Sequence, residues 1–136
     1  MRVLEFHCSS FSYVLKRSTP VAEEPEPKSD DLKDVLVYFI CFEKKDEGRS
    51  EELMEKFVES LEVDVSRVKC ERILLYPYAH LSKDLGSPKL AKEFFYKLRE
   101  RLSQTKMEVH KSPFGWHKAF RLDCIGHPLA EAYREF

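Results

Sequence analysis

The run "VLVYFICF" at residues 35–42 decides the fold class. Its eight consecutive apolar residues, many of them β-branched or aromatic, fit the length and composition of a β-strand. A strand that has no polar side predicts burial on both faces, as in the middle of a covered sheet. The sequence therefore predicts a domain built around a central strand at this position.

Strand patterns also precede this run. Residues 1–8 and 11–16 predict two short strands joined by a hairpin turn at Ser9-Ser10. The segment 19–31 contains three prolines and five acidic residues, which is typical of a solvated loop. We expect this loop to lie outside the core.

After the central run, helix and strand patterns alternate. Apolar residues at three- and four-residue spacing predict one helix from Ser50 and another from Pro88, with Ser87 as the N-cap of the second. Further strands are predicted at 72–80, 107–113 and 116–124, and a third helix from Pro128. The predicted fold class is α+β, with a mixed sheet or half-open barrel covered by helices in a single domain over residues 1–136.

The balance of charges restricts the ways in which this chain can bind nucleic acid. Lys and Arg number 23 against 24 for Asp and Glu, so the net charge is −1. A protein that holds nucleic acid unaided usually carries a basic excess, because phosphate neutralisation supplies much of the affinity. Any contact with nucleic acid is therefore expected to be local, or to depend on an attached domain or a separate partner.

The sequence lacks the signatures of common cofactor sites. The four glycines form no G-x-G-x-x-G or P-loop motif. The five histidines and four cysteines show none of the local pairs that are usual in metal sites, and the scattered cysteines do not suggest a disulfide framework. We expect a reduced, cytoplasmic protein without a metal or other cofactor in this domain, and no run is long and apolar enough to cross a membrane.

Lys118 interrupts the apolar side of the predicted strand 116–124. Alternation places it on the same side as the apolar residues of that strand, Trp116, Phe120, Leu122 and Cys124. A lysine near a strand end often lies along its apolar neighbours and exposes its ammonium group to water. The functional interpretation is a lysine that points into a cleft, where desolvation lowers its pKa and suits it to ligand binding or proton transfer.

Other polar residues stand where predicted elements begin or end. His80 follows a predicted strand, which is a common place for a site residue. Glu131 falls in the first turn of the helix predicted from Pro128, and His127 lies on the N-cap side of that helix. Each has an ordinary explanation as a turn, capping or helix-start residue. A lysine, a carboxylate and a histidine at such positions can also serve a pocket for a polar substrate.

Four stretches carry a resemblance to a known family. They occur in the order "YPYAHLS" (76–82), "SP" (87–88), "KSPFGWHKAF" (111–120) and "GHPLAE" (126–131). This series resembles the N-terminal editing domain of archaeal threonyl-tRNA synthetases, and the opening "MRVLEFH" and the central strand are similar too. The resemblance implies the D-aminoacyl-tRNA deacylase-like fold, a homodimer, and a position at the N-terminus of a longer synthetase.

The resemblance also implies a reaction and a set of residues. The domain is expected to hydrolyse the ester of mischarged seryl-tRNA(Thr) and to spare the threonyl ester, with the 2′-hydroxyl of the RNA assisting. Catalytic roles are implied for Lys118, Glu131 and His80, and no metal takes part. Substrate contacts are expected from Ala79, Phe114, Gly115, His117, Phe42 and His127. His117 stands where relatives have a tyrosine, so a role of that phenol does not transfer to this chain.

Three other functions stay open on the sequence. They are a D-aminoacyl-tRNA deacylase, a non-catalytic module that binds a free amino acid and dimerises, and a metal hydrolase that uses His7, His80 and His127. The partners implied by editing are the 3′-terminal adenosine of tRNA(Thr) with its L-serine ester, a second copy of the chain, and the other synthetase domains in cis or in trans. ATP and Zn are expected only in a separate catalytic domain.

Overall fold

The central run is buried along its whole length, as its composition predicts. All of residues 35–42 are at most 5% exposed, and all but the last belong to strand β2 (Ser29–Cys41). The even-numbered residues of the run face one apolar cluster and the odd-numbered residues Val35, Val37 and Phe39 face another. A strand with two buried faces is therefore the centre of the molecule.

The computed structural model describes all 136 residues as one mixed sheet with two α-helices. Around β2, the remaining elements are β1 (Arg2–Ser18), α1 (Ser50–Val68), β3 (Arg72–Pro77), α2 (Pro88–Ser103), β4 (Glu108–Lys111), β5 (Trp116–Cys124) and β6 (Glu131–Glu135). The strand order is β4-β3-β2-β1-β5, and β6 pairs with β1 as well. Pairs β2–β3 and β3–β4 are parallel and the others antiparallel. The predicted α+β class is confirmed.

Both helices cover the same face of the sheet. The apolar stripe of α1 and that of α2 pack on the even-numbered side of β2, and members of this core include Leu53, Phe57, Phe94 and Leu98. The prediction of a helix with Ser87 in the N-cap position is confirmed, and the first helix begins at Ser50 as predicted, with Arg49 in the N-cap position. Neither helix combines the length and the hydrophobicity needed to cross a membrane.

The opposite face of the sheet is buried by curvature. The rings of Tyr76 on β3 and Phe120 on β5 lie 5.9 Å apart, although β2 and β1 separate these two strands in the sheet. In a flat sheet, three strand spacings would hold them roughly 14 Å apart. The sheet therefore curls into the predicted half-open barrel, and aromatic residues fill its concave side.

The predicted hairpin at Ser9-Ser10 is wrong. β1 continues through both serines as one strand of 17 residues, and the register with β5 shifts between Cys8 and Ser10. Ser9 is thus the extra residue of a β-bulge, which bends a strand without ending it. The turn that returns the chain from β1 to β2 is formed instead by residues 19–28.

The predicted helix from Pro128 is also wrong. Residues 131–135 form β6, which pairs with residues 2–6 of β1. Exposed and half-buried residues alternate along this segment, so its pattern has the period of a strand. Its inward Arg134 donates hydrogen bonds to the carboxylates of Glu5 and Asp64, which fixes this strand on the edge of β1.

Candidate active site

A cleft of about 540 Å³ lies at the open end of the curled sheet. One wall is formed by residues 76–80 with 85–86, the other by residues 114–118, and the end of β2 forms the floor. Seven of the nine residues predicted from the sequence line it, namely Lys118, His80, Ala79, Phe114, Gly115, His117 and Phe42. Glu131 and His127 do not line it.

Lys118 points from β5 into this cleft, on the inward side that alternation predicts. Its Nζ lies 4.5 Å from the centroid of the Tyr76 ring, a cation–π distance, and the ammonium group has no carboxylate partner. Burial, together with the charge of Lys111, lowers the pKa of Lys118 to about 7, while the carboxylate of Glu23 acts in the opposite direction. The group can therefore change its charge near neutral pH.

The wall that carries His80 is held by a buried carboxylate. After β3 ends at Pro77, residues Ala79–Leu81 form a single 3₁₀ turn, and Ser82 donates a hydrogen bond of 2.7 Å to Oε1 of Glu43. Burial opposes the ionisation of Glu43, but hydrogen bonds from Ser82 and Lys45 outweigh it and keep the pKa of that carboxyl below its usual value. The exposed imidazole of His80 is thereby placed at the rim of the cleft.

The wall that carries Phe114 and Gly115 is a tight turn between β4 and β5. Gly115 has φ = +75°, and a Cβ atom there would lie 2.7 Å from Cα of Ala22. Thr19 closes the contact, because its backbone N–H and its hydroxyl both donate to the carbonyl oxygen of Gly115, at 3.0 and 2.7 Å. The connection between β1 and β2 therefore packs directly against this wall.

Glu131 and His127 lie at the far end of β1 from the cleft. Glu131 is the first residue of β6 and pairs with Phe6, whereas Lys118 pairs with Leu15. These two positions on β1 are about 30 Å apart along an extended strand. Glu131 therefore does not share a pocket with Lys118 within one chain, because the predicted helix start is a strand on another part of the sheet.

His127 instead bonds to His7, and this pair bears on the metal-hydrolase alternative. Nε2 of His127 lies 2.7 Å from Nδ1 of His7, whose Nε2 lies 2.7 Å from Oδ1 of Asp34. Cys70 completes a group of His7, Asp34 and Cys70 whose possible ligand atoms all lie within 4.8 Å of one another. His80 lies in the cleft, so the set of His7, His80 and His127 is not brought together.

The hydrogen bonds around this histidine pair form a continuous chain from Leu129 to Asp34. The backbone N–H of Leu129 donates to Nδ1 of His127 at 3.1 Å, which requires that nitrogen to be unprotonated. His127 then donates from Nε2 to His7, and His7 donates from its own Nε2 to Asp34. A metal ion on His7 would have to displace a proton that already serves this chain. The residues thus fit a structural hydrogen-bond chain better than a metal centre.

The chain is similar over its whole length to a described protein family. Over residues 1–136, it matches the family described as the archaea-specific editing domain of threonyl-tRNA synthetase. The chain belongs to this family. The editing-domain resemblance stated from the sequence motifs is thereby confirmed.

Relatives of this editing domain are long synthetases. The threonine--tRNA ligase of Methanosarcina barkeri is 46% identical over 136 residues, which cover 98% of this chain and 21% of that protein. The threonine--tRNA ligase of Thermococcus kodakarensis is 43% identical over 139 residues, covering 98% of this chain and 22% of the relative. The chain thus spans about a fifth of the length of the relatives it matches.

A solved structure supports the fold of the editing domain. The c-Myc DNA Unwinding Element Binding Protein superposes with a TM-score of 0.68 at 12% identity, covering 100% of this chain and 99% of that one. This degree of identity bears on fold alone. It confirms the expected class of fold, a helix-covered mixed sheet in one domain.

Two parts of the cleft were not predicted as site residues. Tyr76 forms the surface under Lys118, and Cys41 donates a weak hydrogen bond from Sγ to the carbonyl oxygen of Ala79 at 3.7 Å. Both lie in strands whose sequence indicates only core. The approach of Tyr76 to Lys118 depends on the curl of the sheet, and that of Cys41 to Ala79 on the pairing of β2 with β3, and neither leaves a mark in the local sequence.

Proposed function

We propose that this domain hydrolyses the aminoacyl ester of mischarged seryl-tRNA(Thr) in the cleft around Lys118. The observation that carries the proposal is the ammonium group of Lys118, which enters a concave, largely apolar site without a carboxylate to neutralise it. Lys118 is half-buried and its ammonium group is partly desolvated, which is unfavourable for the cation unless a ligand supplies an anionic or hydrogen-bonding partner. Membership of the editing-domain family supplies the class of ligand.

The reaction is the hydrolysis of an ester. The oxygen of a water molecule attacks the carbonyl carbon of the seryl group, the bond from that carbon to the ribose oxygen breaks, and a proton passes from the water to the ribose oxygen. In the proposed geometry, Lys118 holds the seryl group or orients the water, and His80 binds a ribose hydroxyl. The 2′-hydroxyl of the terminal adenosine assists the water, so that the protein contributes positioning and charge stabilisation.

The backbone of the wall at residues 114–115 limits where the carbonyl oxygen of the substrate can bind. The N–H of Phe114 already donates to Glu23 at 2.6 Å and is not free for a ligand. We therefore assign contact with the ester to the N–H of Gly115 or to the backbone around Ala79, while Phe42 and the side chain of Phe114 form apolar walls. His117 lines the same cleft and can donate a hydrogen bond from its ring.

Discrimination between serine and threonine depends on one methyl group. Such a group is worth about 1–3 kcal/mol in a pocket, which is too little for a synthesis site to reject the smaller serine. A second site that excludes the larger amino acid solves this problem. We propose that the cleft either has no room for the threonyl methyl or misplaces the water when that methyl is present.

A role for Glu131 requires a second copy of the chain. Glu131 is exposed and lies far along β1 from the cleft, so it can meet the substrate only if a homodimer brings the partner's edge to this opening. Mixing Lys118→Met with Glu131→Ala tests this, because a shared site restores part of the activity in mixed dimers. A Glu131→Ala variant that alone keeps the wild-type rate would place Glu131 outside the reaction.

Delivery of the tRNA is assigned to other parts of the synthetase. With a net charge of −1, the domain has no basic excess for binding an acceptor stem unaided. We propose that the remaining domains supply the tRNA, in cis or in trans, in the cytoplasm where charging takes place. Nanomolar affinity of the isolated domain for tRNA at physiological salt would contradict this.

The deciding experiment compares three substrates. Hydrolysis of seryl-tRNA(Thr), threonyl-tRNA(Thr) and D-tyrosyl-tRNA is measured with the wild-type chain and with Lys118→Met, after subtraction of spontaneous hydrolysis. Editing predicts cleavage of the seryl ester alone and its loss in the variant. Cleavage of D-tyrosyl-tRNA would favour a D-aminoacyl-tRNA deacylase. Binding of free serine without any hydrolysis would favour an amino-acid-binding module.

A further inference from the structure

Glu23 lies in the acidic connection between β1 and β2, residues 19–28, and its burial differs from what the sequence of this segment predicts. Its segment predicts a solvated loop, yet the side chain of Glu23 is only 9% exposed. Its neighbour Glu24 is exposed, as the composition suggests. Burial of a carboxylate is costly unless it is paired and hydrogen-bonded, so the partners of Glu23 explain its position.

Glu23 forms three hydrogen bonds with the wall of the cleft, to the residues on either side of Gly115. Its backbone N–H donates to the carbonyl oxygen of Phe114 at 3.1 Å, and its Oε1 accepts the N–H of Phe114 at 2.6 Å. Its own carbonyl oxygen accepts Nε1–H of Trp116 at 2.8 Å. Gly115 between them is held by Thr19 of the same connection. One short segment thus fixes the whole turn that leads into β5.

Glu23 also compensates the charge nearest to Lys118. Lys111, the last residue of β4, is 5% exposed and pairs with Oε1 of Glu23. Without this carboxylate, the buried ammonium group of Lys111 would add an uncompensated positive charge to the surroundings of Lys118. Consistent with that arrangement, Lys111 lowers the pKa of Lys118 and Glu23 raises it.

We propose that Glu23 is a positioning residue of the editing site, which fixes the turn at residues 114–116 and offsets the charge of Lys111 beside Lys118. It does not touch the substrate, and its effect reaches the reaction through Gly115 and Lys118. This inference rests on the proposed function of the cleft. The connection between β1 and β2 is therefore part of the active-site architecture.

The kinetic test uses Glu23→Gln with Glu24→Gln as its matched control. The amide keeps the size and one acceptor of the carboxylate but loses its charge. We expect kcat for seryl-tRNA(Thr) to fall about tenfold with little change in KM, since a small misplacement of catalytic groups costs this much or more. Glu24→Gln should match the wild type. Equal kcat in Glu23→Gln and Glu24→Gln would overturn the proposal.

An independent test measures the pKa of Lys118 by NMR in protein labelled at the lysine side chains. The groups around its ammonium are the ring of Tyr76 on β3, Lys111 on β4 and Glu23 on the connection, with His80 and His117 along the cleft. Because Glu23 raises the pKa of Lys118, Glu23→Gln should lower it. Removal of both charges in Glu23→Gln/Lys111→Gln should return it toward the wild-type value.

The two tests separate the possible failures. If the wild type does not hydrolyse seryl-tRNA(Thr), the proposed function fails, whereas the NMR titration still decides whether Glu23 sets the charge of Lys118. A merely structural Glu23 would lower the melting temperature in the variant and leave the pKa of Lys118 and kcat per folded molecule unchanged. That outcome would contradict the proposed role.

Discussion

The polar side chains near the two ends of strand β1 differ in how fully they are hydrogen-bonded. Near its start, His7 is buried and both of its ring nitrogens are bonded, one to His127 and one to Asp34. Near its other end, Lys118 on the neighbouring strand reaches into the cleft and has only the face of Tyr76 as a partner. Both places hold ionisable side chains within the same sheet, and only one of them leaves a group unsatisfied.

This difference favours the cleft end as the place of the proposed reaction. Folding alone favours the arrangement around His7, because buried polar groups cost free energy unless they are hydrogen-bonded. The arrangement around Lys118 is unfavourable for the free protein and becomes favourable when a ligand supplies the missing partner. We therefore expect substitutions at the two ends to separate activity from stability.

The largest effect is expected from Lys118→Met. Methionine keeps most of the length and apolar contact of lysine but has no charge, and loss of one stabilising donor at a reacting centre typically costs about 10²–10³ in kcat. The rate of deacylation of seryl-tRNA(Thr) should fall by this factor while the fold is retained. Lys97→Met on the exposed side of α2 is the control and should leave the rate unchanged.

Stability provides the second half of that test. If Lys118→Met lowered the melting temperature clearly, the loss of rate could be explained by loss of the fold, and the lysine would be a structural residue. We expect the opposite, namely a melting temperature at or above that of the wild type near neutral pH. Removal of a partly desolvated ammonium group that has no carboxylate partner takes away an unfavourable contribution to the free energy of folding.

At the other end, His7→Ala should affect stability and not the rate per folded molecule. The substitution removes both hydrogen bonds of the buried His7 ring, and each such bond contributes about 0.5–1.5 kcal/mol to stability. Urea unfolding measures the loss. Asp34→Asn is the conservative comparison, because asparagine keeps an acceptor and tolerates the left-handed φ of +46° at this position. A rate that fell with His7→Ala would show that this end takes part in editing.

The parts of the fold that are predictable from the sequence are those whose pattern is local. The apolar run at 35–42, the stripes of α1 and α2 and the alternation of β5 each carry their own burial signal, and the structure confirms them. The segment after Pro128 is predicted wrongly as a helix because its local pattern fits two structures. Proline at a helix start and alternating strand residues are both present, and the decision depends on the free edge of β1 at residues 2–6, which is distant in sequence.

The candidate site follows the same rule. Lys118 could be selected because one strand contains both the lysine and the apolar residues that surround it. Glu23 could not, since its burial arises from contacts with Phe114 and Lys111, about ninety residues later in the chain. An acidic, proline-rich composition describes the segment correctly on average and says nothing about one side chain that turns inward.

A smaller effect is expected from pH. With a pKa of about 7 in the fold and 10.5 as its ordinary value, Lys118 is mostly protonated at pH 6 and mostly neutral at pH 8.5. If the cation acts, the catalysed rate relative to spontaneous hydrolysis should fall toward tenfold per pH unit above pH 7, and this limb should be absent in Lys118→Met. A flat ratio from pH 6 to 9 would exclude a cationic role.

The titration of Lys118 also predicts the direction in which folding stability changes with pH. Between pH 7 and 10.5, the unfolded chain holds a proton on Lys118 that the folded chain has lost, so this group makes folding more favourable as the pH rises through that window. The difference in melting temperature between Lys118→Met and the wild type should accordingly be largest below pH 7 and shrink toward pH 10. A difference that stayed constant would mean that the ammonium is solvated in the fold.

No effect at all is expected from chelation. At the cleft end, the proposed chemistry relies on Lys118 and the RNA. At the His7 end, the bond from Leu129 to His127 fixes the protons so that His7 already donates to Asp34. Dialysis against EDTA followed by assay and thermal unfolding should reproduce the untreated protein, and added Zn²⁺ should not raise the melting temperature. Suppose instead that Zn²⁺ raises the melting temperature and that His7→Ala or Cys70→Ala abolishes this rise. A metal would then displace the proton of His7, and the group of His7, Asp34 and Cys70 would be a metal site.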